Sequence, residues 1–364
     1  PTRVSGAVRT QLAVPLAAHL ADDRLPDDSG AWRGAEAWRS CRHRRSTMRP
    51  AISVVVCTRD RPDMLATCLP RLRSLDYGLY EVVVVDNAPS TDAARQVFER
   101  TVGDDARFRY VREDAAGLSR ARNRGLAEAS AACVAYTDDD VLVDMSWLDG
   151  IAAGFARDAA VGCVTGLVPP AQLDHLSQHY FDRRFPWGRR MEPRVYTAGN
   201  GRSSLYPYSA GLFGTGANFA VDRDLMLALG GFDEALGAGS PARGGEDLDA
   251  FVRILRAGRS IAYEPSAVVW HVHRSDRRAL RRQLFTYGEG LSAFITKYLV
   301  DAHTTREILP RLPAGVRQLV RMWSPVTLDG PAPPTLILAE GLGIVAGPLA
   351  YARSRRAVTV GGPR

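Results

Sequence analysis

Three short apolar runs and one charged, aromatic run, each followed by a polar or helix-like stretch, constrain this chain more than any other feature. They are "AISVVVCT" (51–58), "YEVVVVDNAPS" (80–90), "RFRYVRE" (107–113) and "ACVAYT" (132–137). Runs rich in β-branched residues and bounded by turns read as buried strands. Between the first two, Leu65, Leu69, Leu72 and Leu75 recur at helical spacing, with Pro62 suited to a first helical turn and Pro70 expected to disturb the helix. Further helices are expected near 91–100 and from about residue 118 in "GLSRARNRGLAEAS". Strands alternating with helices predict an α/β fold built on a parallel sheet. In such sheets ligands bind at the carboxyl ends of the strands, where this chain places "CTRDR", "DNAPS" and "DDD".

The second half differs. "GLFGTGANFAVDRDLMLALGGFDE" is glycine-rich and then helical, and "GGEDLDAFVRILRAG" reads as an acidic turn entering an amphipathic helix. "SIAYEPSAVVWHVHR" is strand-like on both sides of Pro265, and beyond about residue 276 the chain is arginine-rich and helical, with a break at "DGPAPP". Residues 1–50 read as an irregular or partly helical extension ending in a basic linker. Residues 1–20 lack a sustained apolar core after a basic start, so no signal peptide is expected. "PTLILAEGLGIVAGPLAYA" (334–352) is apolar but interrupted by Glu340, glycines and Pro348, which predicts an interfacial or packed helix rather than a span, with peripheral membrane contact as one expectation.

The formal charge is +7, yet Lys297 is the only lysine. That excludes a lysine-bearing phosphate loop and a lysine-rich nucleic-acid face, so no nucleic-acid partner is expected. The arginine excess suits phosphates and carboxylates, or only a solvated surface. Five cysteines without a C-x-x-C pair fit free thiols and a reducing cytoplasm, possible contact with the inner membrane face included.

Three consecutive aspartates end the fourth run. If strand geometry continues, Asp138 and Asp140 share one face and Asp139 takes the other. Two carboxylates on one face could hold Mg²⁺ or Mn²⁺; the alternative is a solvated acidic turn. Asp86 ends the second run, where an acid can accept hydrogen bonds from a base or sugar hydroxyl, or simply form a turn. "GLSRARNRG" puts Gly117 and Ser119 at a helix start suited to phosphate, with Arg122 and Asn123 behind them. "GGEDLD" offers Glu246 and Asp247 as base candidates, or as charges that complement a helix dipole. His271 and His273 fall on one strand face and could complete a Mn²⁺ site or be structural.

Taken in order, "SVVVCTRDRP", "EVVVVDNAPSTD", "GLSRARNRG", "YTDDDV", "FGTGANFAV", "GGFDE", "GGEDLD" and "VVWHVH" resemble the family 2 glycosyltransferases over roughly residues 51–275. The resemblance implies a GT-A (Rossmann-like) mixed sheet flanked by helices, with a helical C-terminal extension at 276–364. It divides the chain into a nucleotide-sugar-binding half (51–165) and an acceptor-binding, catalytic half (166–275). It implies an inverting transfer from a nucleotide-sugar, a UDP-sugar by family habit, assisted by Mn²⁺ or Mg²⁺. The acceptor would be a glycan, a lipid-linked intermediate or a small molecule. Thr58, Arg59 and Asp86 would flank the base and ribose, and Gly117, Arg122 and Asn123 the ribose and diphosphate. Asp138 would meet the ribose and Asp140 the metal, with Asp138 and His271 as further metal-side groups. Asp139 belongs with the donor-binding residues but is expected to be least involved with the cation. Asp247 matches the general base, beside Glu246. The runner-up is a sugar-nucleotide pyrophosphorylase, which "CTRDRPDML" disfavours for want of glycine and lysine. A non-catalytic sugar-binding protein on the same fold is the third reading.

Overall fold

The four runs become β1 (Ile52–Thr58), β2 (Tyr80–Asn87), β3 (Phe108–Glu113) and β4 (Cys133–Asp138). The computed structural model describes residues 49–201, 205–322 and 333–360. In it these strands pair in parallel in the order β3–β2–β1–β4. The connecting helices are α1 (Pro62–Arg73), α2 (Ala93–Val102) and α3 (Leu118–Glu128). Helix α1 continues through Pro70. That residue faces solvent, so water can satisfy the carbonyl its missing N–H leaves free. The β-branched runs are continuous because both faces of the sheet are covered. Val54 and Val56 pack with Leu65, Leu69 and Trp147 on one side, while Val55 packs with Ala121, Leu126 and Tyr136 on the other.

The sheet then becomes mixed. After β5 (Val141–Val143) and α4 (Trp147–Phe155) come β6 (Val161–Leu167), α5 (Leu176–Arg184) and β7 (Arg194–Tyr196). β8 (Asn218–Asp222), α6 (Arg223–Ala228), α7 (Glu246–Arg256) and β9 (Ser260–His271) follow. β8 inserts antiparallel between β4 and β6, and β9 continues the sheet parallel to β6. β5 and β7 both pair antiparallel with β9. The runs on either side of Pro265 form one strand. Pairing with β6 jumps from Gly166–Glu264 to Leu167–Val268, an irregularity that accommodates a residue without an N–H.

The C-terminal region is helical, as expected: α8 (Arg277–Leu299), α9 (Ala302–Ile308), α10 (Leu312–Met322) and α11 (Pro334–Val360). By length and composition α11 could cross a membrane, yet it packs along α8. Arg277 lies beside Thr335, Gly288 beside Glu340 and Ser292 beside Gly347, so the two helices run parallel. Glu340 is buried in an ion pair with Arg184 of α5. Cys57, Cys68, Cys133 and Cys163 are free thiols. The expected N-terminal extension up to residue 48, Cys41, and most of "DGPAPP" lie outside the described residues.

Candidate functional site

β1 and β4 are neighbours in register, with Cys57 opposite Asp138, so the segment after β1 lies beside the three aspartates. The chain turns after Asp138, and strand alternation stops there. The expectation that Asp138 and Asp140 share a face against Asp139 is therefore corrected. Asp139 and Asp140 share Arg61, at 2.6 and 2.7 Å, while Asp138 faces Arg122 at 3.6 Å. Asp139 is buried and also accepts a 2.7 Å hydrogen bond from the Thr58 hydroxyl. Thr58 and Asp139 thus brace the turn between the strand ends, and the Thr58 hydroxyl is spent there.

Burial, reinforced by Asp140, Asp139 and Glu246 against the pull of Arg122, pushes the Asp138 carboxyl up to about 7. For Asp140, burial works the other way from its neighbours. His271, Arg61 and Arg274 outweigh it and hold the carboxyl below its ordinary value. Arg274 lies 3.4 Å from the same oxygen that Arg61 engages.

Arg122 stands at the centre of the cleft. It comes from α3, is buried, and donates to Glu246 Oε1 at 2.8 Å and to the Gly216 carbonyl at 3.0 Å. Burial opposes its charge, but Glu246, Asp138 and Asp247 raise its pKa. The Gly216 N–H in turn donates to Asp247 Oδ2 at 2.7 Å, and the Leu248 N–H donates to Oδ1 at 2.8 Å. Asp247, partly exposed at the start of α7, is thereby fixed by backbone donors. A side chain at Gly216 would meet Arg122 at 2.9 Å and Asp247 at 3.1 Å. Glycine there permits the close approach. Glu246 is buried and committed to Arg122, so its part is to position that arginine.

Asp86 ends β2 and is fully buried, accepting a 2.6 Å bond from the Tyr110 hydroxyl. Its Oδ1 has no hydrogen-bond partner among the described residues. Burial raises its pKa, although the Tyr110 bond opposes this. An unmatched buried acceptor is costly, which suits an oxygen awaiting a ligand donor. Arg59 is exposed beside this end of the sheet, near Gly239.

The start of α3 departs from expectation. Gly117 N–H donates to Asn87 Oδ1, Leu118 N–H to the Ala238 carbonyl, and the Ser119 hydroxyl to the Leu236 carbonyl. Asn87 and segment 236–238 thus take up the first two N–H groups and the Ser119 hydroxyl of this end. Asn123 is likewise turned elsewhere. Its amide both donates to and accepts from the Phe232 backbone, at 2.9 and 2.7 Å.

His271 and His273 share a face as expected, with their Nδ1 atoms 2.9 Å apart. Burial lowers both pKa values, His273 to about 4, while the neighbouring Asp140 pulls His271 the other way. Among the described residues no group of three or more His, Cys, Asp or Glu side chains is arranged to hold a metal by itself. Asp138, Asp140 and His271 are therefore not a preassembled three-ligand site. The donor set still fits a hard cation whose shell is completed by phosphate. It offers two carboxylates, Asp138 with its pKa raised chiefly by burial and Asp140 with its pKa lowered, and an imidazole whose pKa burial lowers.

Arg61, Arg274 and Tyr287 enter the site without having been singled out in the sequence. Tyr287 of α8 packs against Phe181, Phe185 and Trp187. Burial, with Asp140, Asp138 and Asp247 adding to it, pushes its phenol well up. The signal for Arg61 lay in "CTRDRP", but only the adjacency of β1 and β4 gives it meaning.

Residues 53–225 match the family model described as glycosyl transferase family 2. The chain is 27% identical over 216 residues to N-acetylgalactosaminyltransferase 7 of Drosophila melanogaster, covering 56% of this chain and 35% of that protein. It is 26% identical over 235 residues to the pre-mycofactocin glycosyltransferase of Mycobacterium tuberculosis, covering 62% of this chain and 44% of that protein. The chain thus spans less than half the length of these two relatives. Among solved structures, the fold is similar to the mannosyltransferase PcManGT of Pyrobaculum calidifontis, determined with GDP-Man and Mn²⁺. The TM-score is 0.54 at 20% identity, over 87% of this chain and 77% of that one.

Proposed function

This chain carries a family 2 glycosyltransferase domain, and on that premise we propose that it moves a sugar from a UDP-sugar to an acceptor hydroxyl with inversion at the anomeric carbon. The observation that carries the reading is the network in which Arg122 ties Asp138, Glu246 and, through Gly216, Asp247 into one cleft at the strand ends. It puts a base candidate beside the carboxylates suited to a cation.

Asp86 Oδ1 would accept an N–H of the base, with Arg59 near the ribose. Asp138, Asp140 and His271 would hold Mn²⁺ or Mg²⁺, Arg61 and Arg274 giving up Asp140 when the donor binds. The cation supplies charge neutralisation for the departing diphosphate. Asp247, oriented by two backbone N–H groups, would take the proton of the attacking hydroxyl. Glu246 is occupied by Arg122, and Asp138 and Asp140 would be taken up by the cation, which leaves Asp247 as the base and favours direct displacement. On this reading residues 51–165 bind the donor and 166–275 receive the acceptor, whether glycan, lipid-linked intermediate or small molecule.

The test is turnover of a panel of UDP-, GDP- and dTDP-sugars by wild type and Asp247→Asn, with Mn²⁺, Mg²⁺ or chelator. Asp247→Asn should keep nucleotide binding and lose about 100-fold or more in rate. A near wild-type rate would remove Asp247 as the base, and full turnover in excess chelator would remove the cation.

A further inference from the structure

Helices α8 and α11 carry two carboxylates between them, Glu289 and Glu340, and both are buried. The charges they turn fully outward are all arginine: Arg277, Arg278, Arg281 and Arg282 on α8, and Arg353, Arg355 and Arg356 on α11. Along the outer side of α11, Leu338, Leu342, Val345 and Leu349 are 53 to 78% exposed. Their spacing of four, three and four residues makes a single stripe, and the same period carries it on to Arg353 and Arg356. The stripe runs about 27 Å from Leu338 to Arg356 at about 1.5 Å per residue.

A groove of about 560 Å³ opens where the two helices meet, with Leu338, Leu342 and Phe285 on its walls and Arg243, Arg281 and Arg282 at its rim. Apolar wall and cationic rim match an amphiphile with an anionic head. They do not match a second copy of this chain docked face to face, which would set arginine against arginine. Nor does α11 cross a bilayer here. It buries Glu340 against Arg184 and lies on α8 through Gly288, Gly343 and Gly347.

We propose that the α8–α11 face is a docking surface for an anionic lipid bilayer, with α11 lying in the interface and the groove receiving a lipid phosphate between its arginines. Apolar burial and arginine attraction to acidic lipids act together in such binding. Arg243 directly precedes the Gly244–Gly245 turn that leads into Asp247, so the docked face lies beside the loop that carries the base candidate. The inference is independent of which donor sugar is used.

The experiment is co-sedimentation of the full chain with phosphatidylcholine vesicles, with and without about one third phosphatidylglycerol. Wild type, Leu342→Asp/Val345→Asp and Arg281→Glu/Arg282→Glu are compared, with thermal unfolding to confirm that each pair of exposed changes leaves the fold intact. Wild type should bind the anionic vesicles, ignore the neutral ones and lose binding at high salt. Each double variant should fall about tenfold or more in bound fraction. Equal retention by both vesicle types, or undiminished binding of either folded double variant, would overturn the proposal. So would a wild-type dimer that Leu342→Asp/Val345→Asp converts to monomer, since that would make the face a self-association surface.

Discussion

Arg122 and Glu246 meet at 2.8 Å across 124 residues of chain, both almost fully buried. One comes from the first helix start after β3 and the other from the first turn of α7, so the pair fastens the two halves of the cleft. Arg122 also lies over the Phe219 and Phe232 rings, which give its guanidinium an apolar bed.

Removing one partner of such a pair leaves an uncompensated buried charge. Arg122→Met should therefore cost about 3–5 kcal/mol in urea unfolding. Glu246→Gln keeps a hydrogen-bond acceptor and should cost less, about 1.5–3 kcal/mol. An Arg122→Met protein within about 1 kcal/mol of wild type would show that the pair does not fasten the cleft.

Thr58 separates two roles. As a brace for Asp139, Thr58→Val leaves a buried carboxylate short of one donor and should cost about 1–3 kcal/mol of stability. The KM for the donor should change little. A raised KM with unchanged unfolding free energy would instead place Thr58 against the base and ribose.

Much of this arrangement was legible before the structure, for an identifiable reason. β1, β2 and β4 are buried on both faces, so their apolar runs are unbroken and easy to recognise, whereas the edge strand β3 is half-buried and carries charges. β8 was hidden because only five residues, Asn218–Asp222, emerge from a glycine-rich stretch. Its antiparallel insertion beside β4 is set by packing, not by any local pattern. The same limit governed the site. Asp138, Asp247 and Asp86 stand at element ends, where sequence pattern points to them. Arg61 matters only because β1 and β4 are neighbours, and Asn123 is diverted to Phe232 by a segment more than a hundred residues away. The assumption that strand alternation persists through "DDD" failed because the chain turns at Asp139.

The raised carboxyl of Asp138 has a definite sign in pH. Its folded value of about 7 lies above the ordinary 3.8, so the folded protein holds a proton that the unfolded chain releases. Its contribution to stability is then full below about pH 4 and lost as pH rises through about 7. In chelator, wild type should therefore lose stability relative to Asp138→Asn over that window. Adding Mn²⁺ with UDP should stabilise wild type more at about pH 8 than at about pH 5, since the cation requires the ionised form. Parallel pH profiles of wild type and Asp138→Asn in chelator would show that Asp138 is ordinary.

The contact between α8 and α11 depends on glycine at Gly288 and Gly343. A Cβ at Gly288 would run into the Glu340 carbonyl, and one at Gly343 into the carbonyl of Phe285. Both obstacles are backbone, so neither can move without shifting a helix. Gly288→Ala should cost about 1–3 kcal/mol by overpacking, and should expose residues 334–360 to protease before the rest of the fold opens. Gly78 provides the control, because a Cβ there meets nothing within 4 Å. Gly78→Ala should stay within about 0.5 kcal/mol of wild type. If Gly288→Ala behaved like that control in both unfolding and proteolysis, the close approach of α8 and α11 would not be what holds α11 flat against the protein.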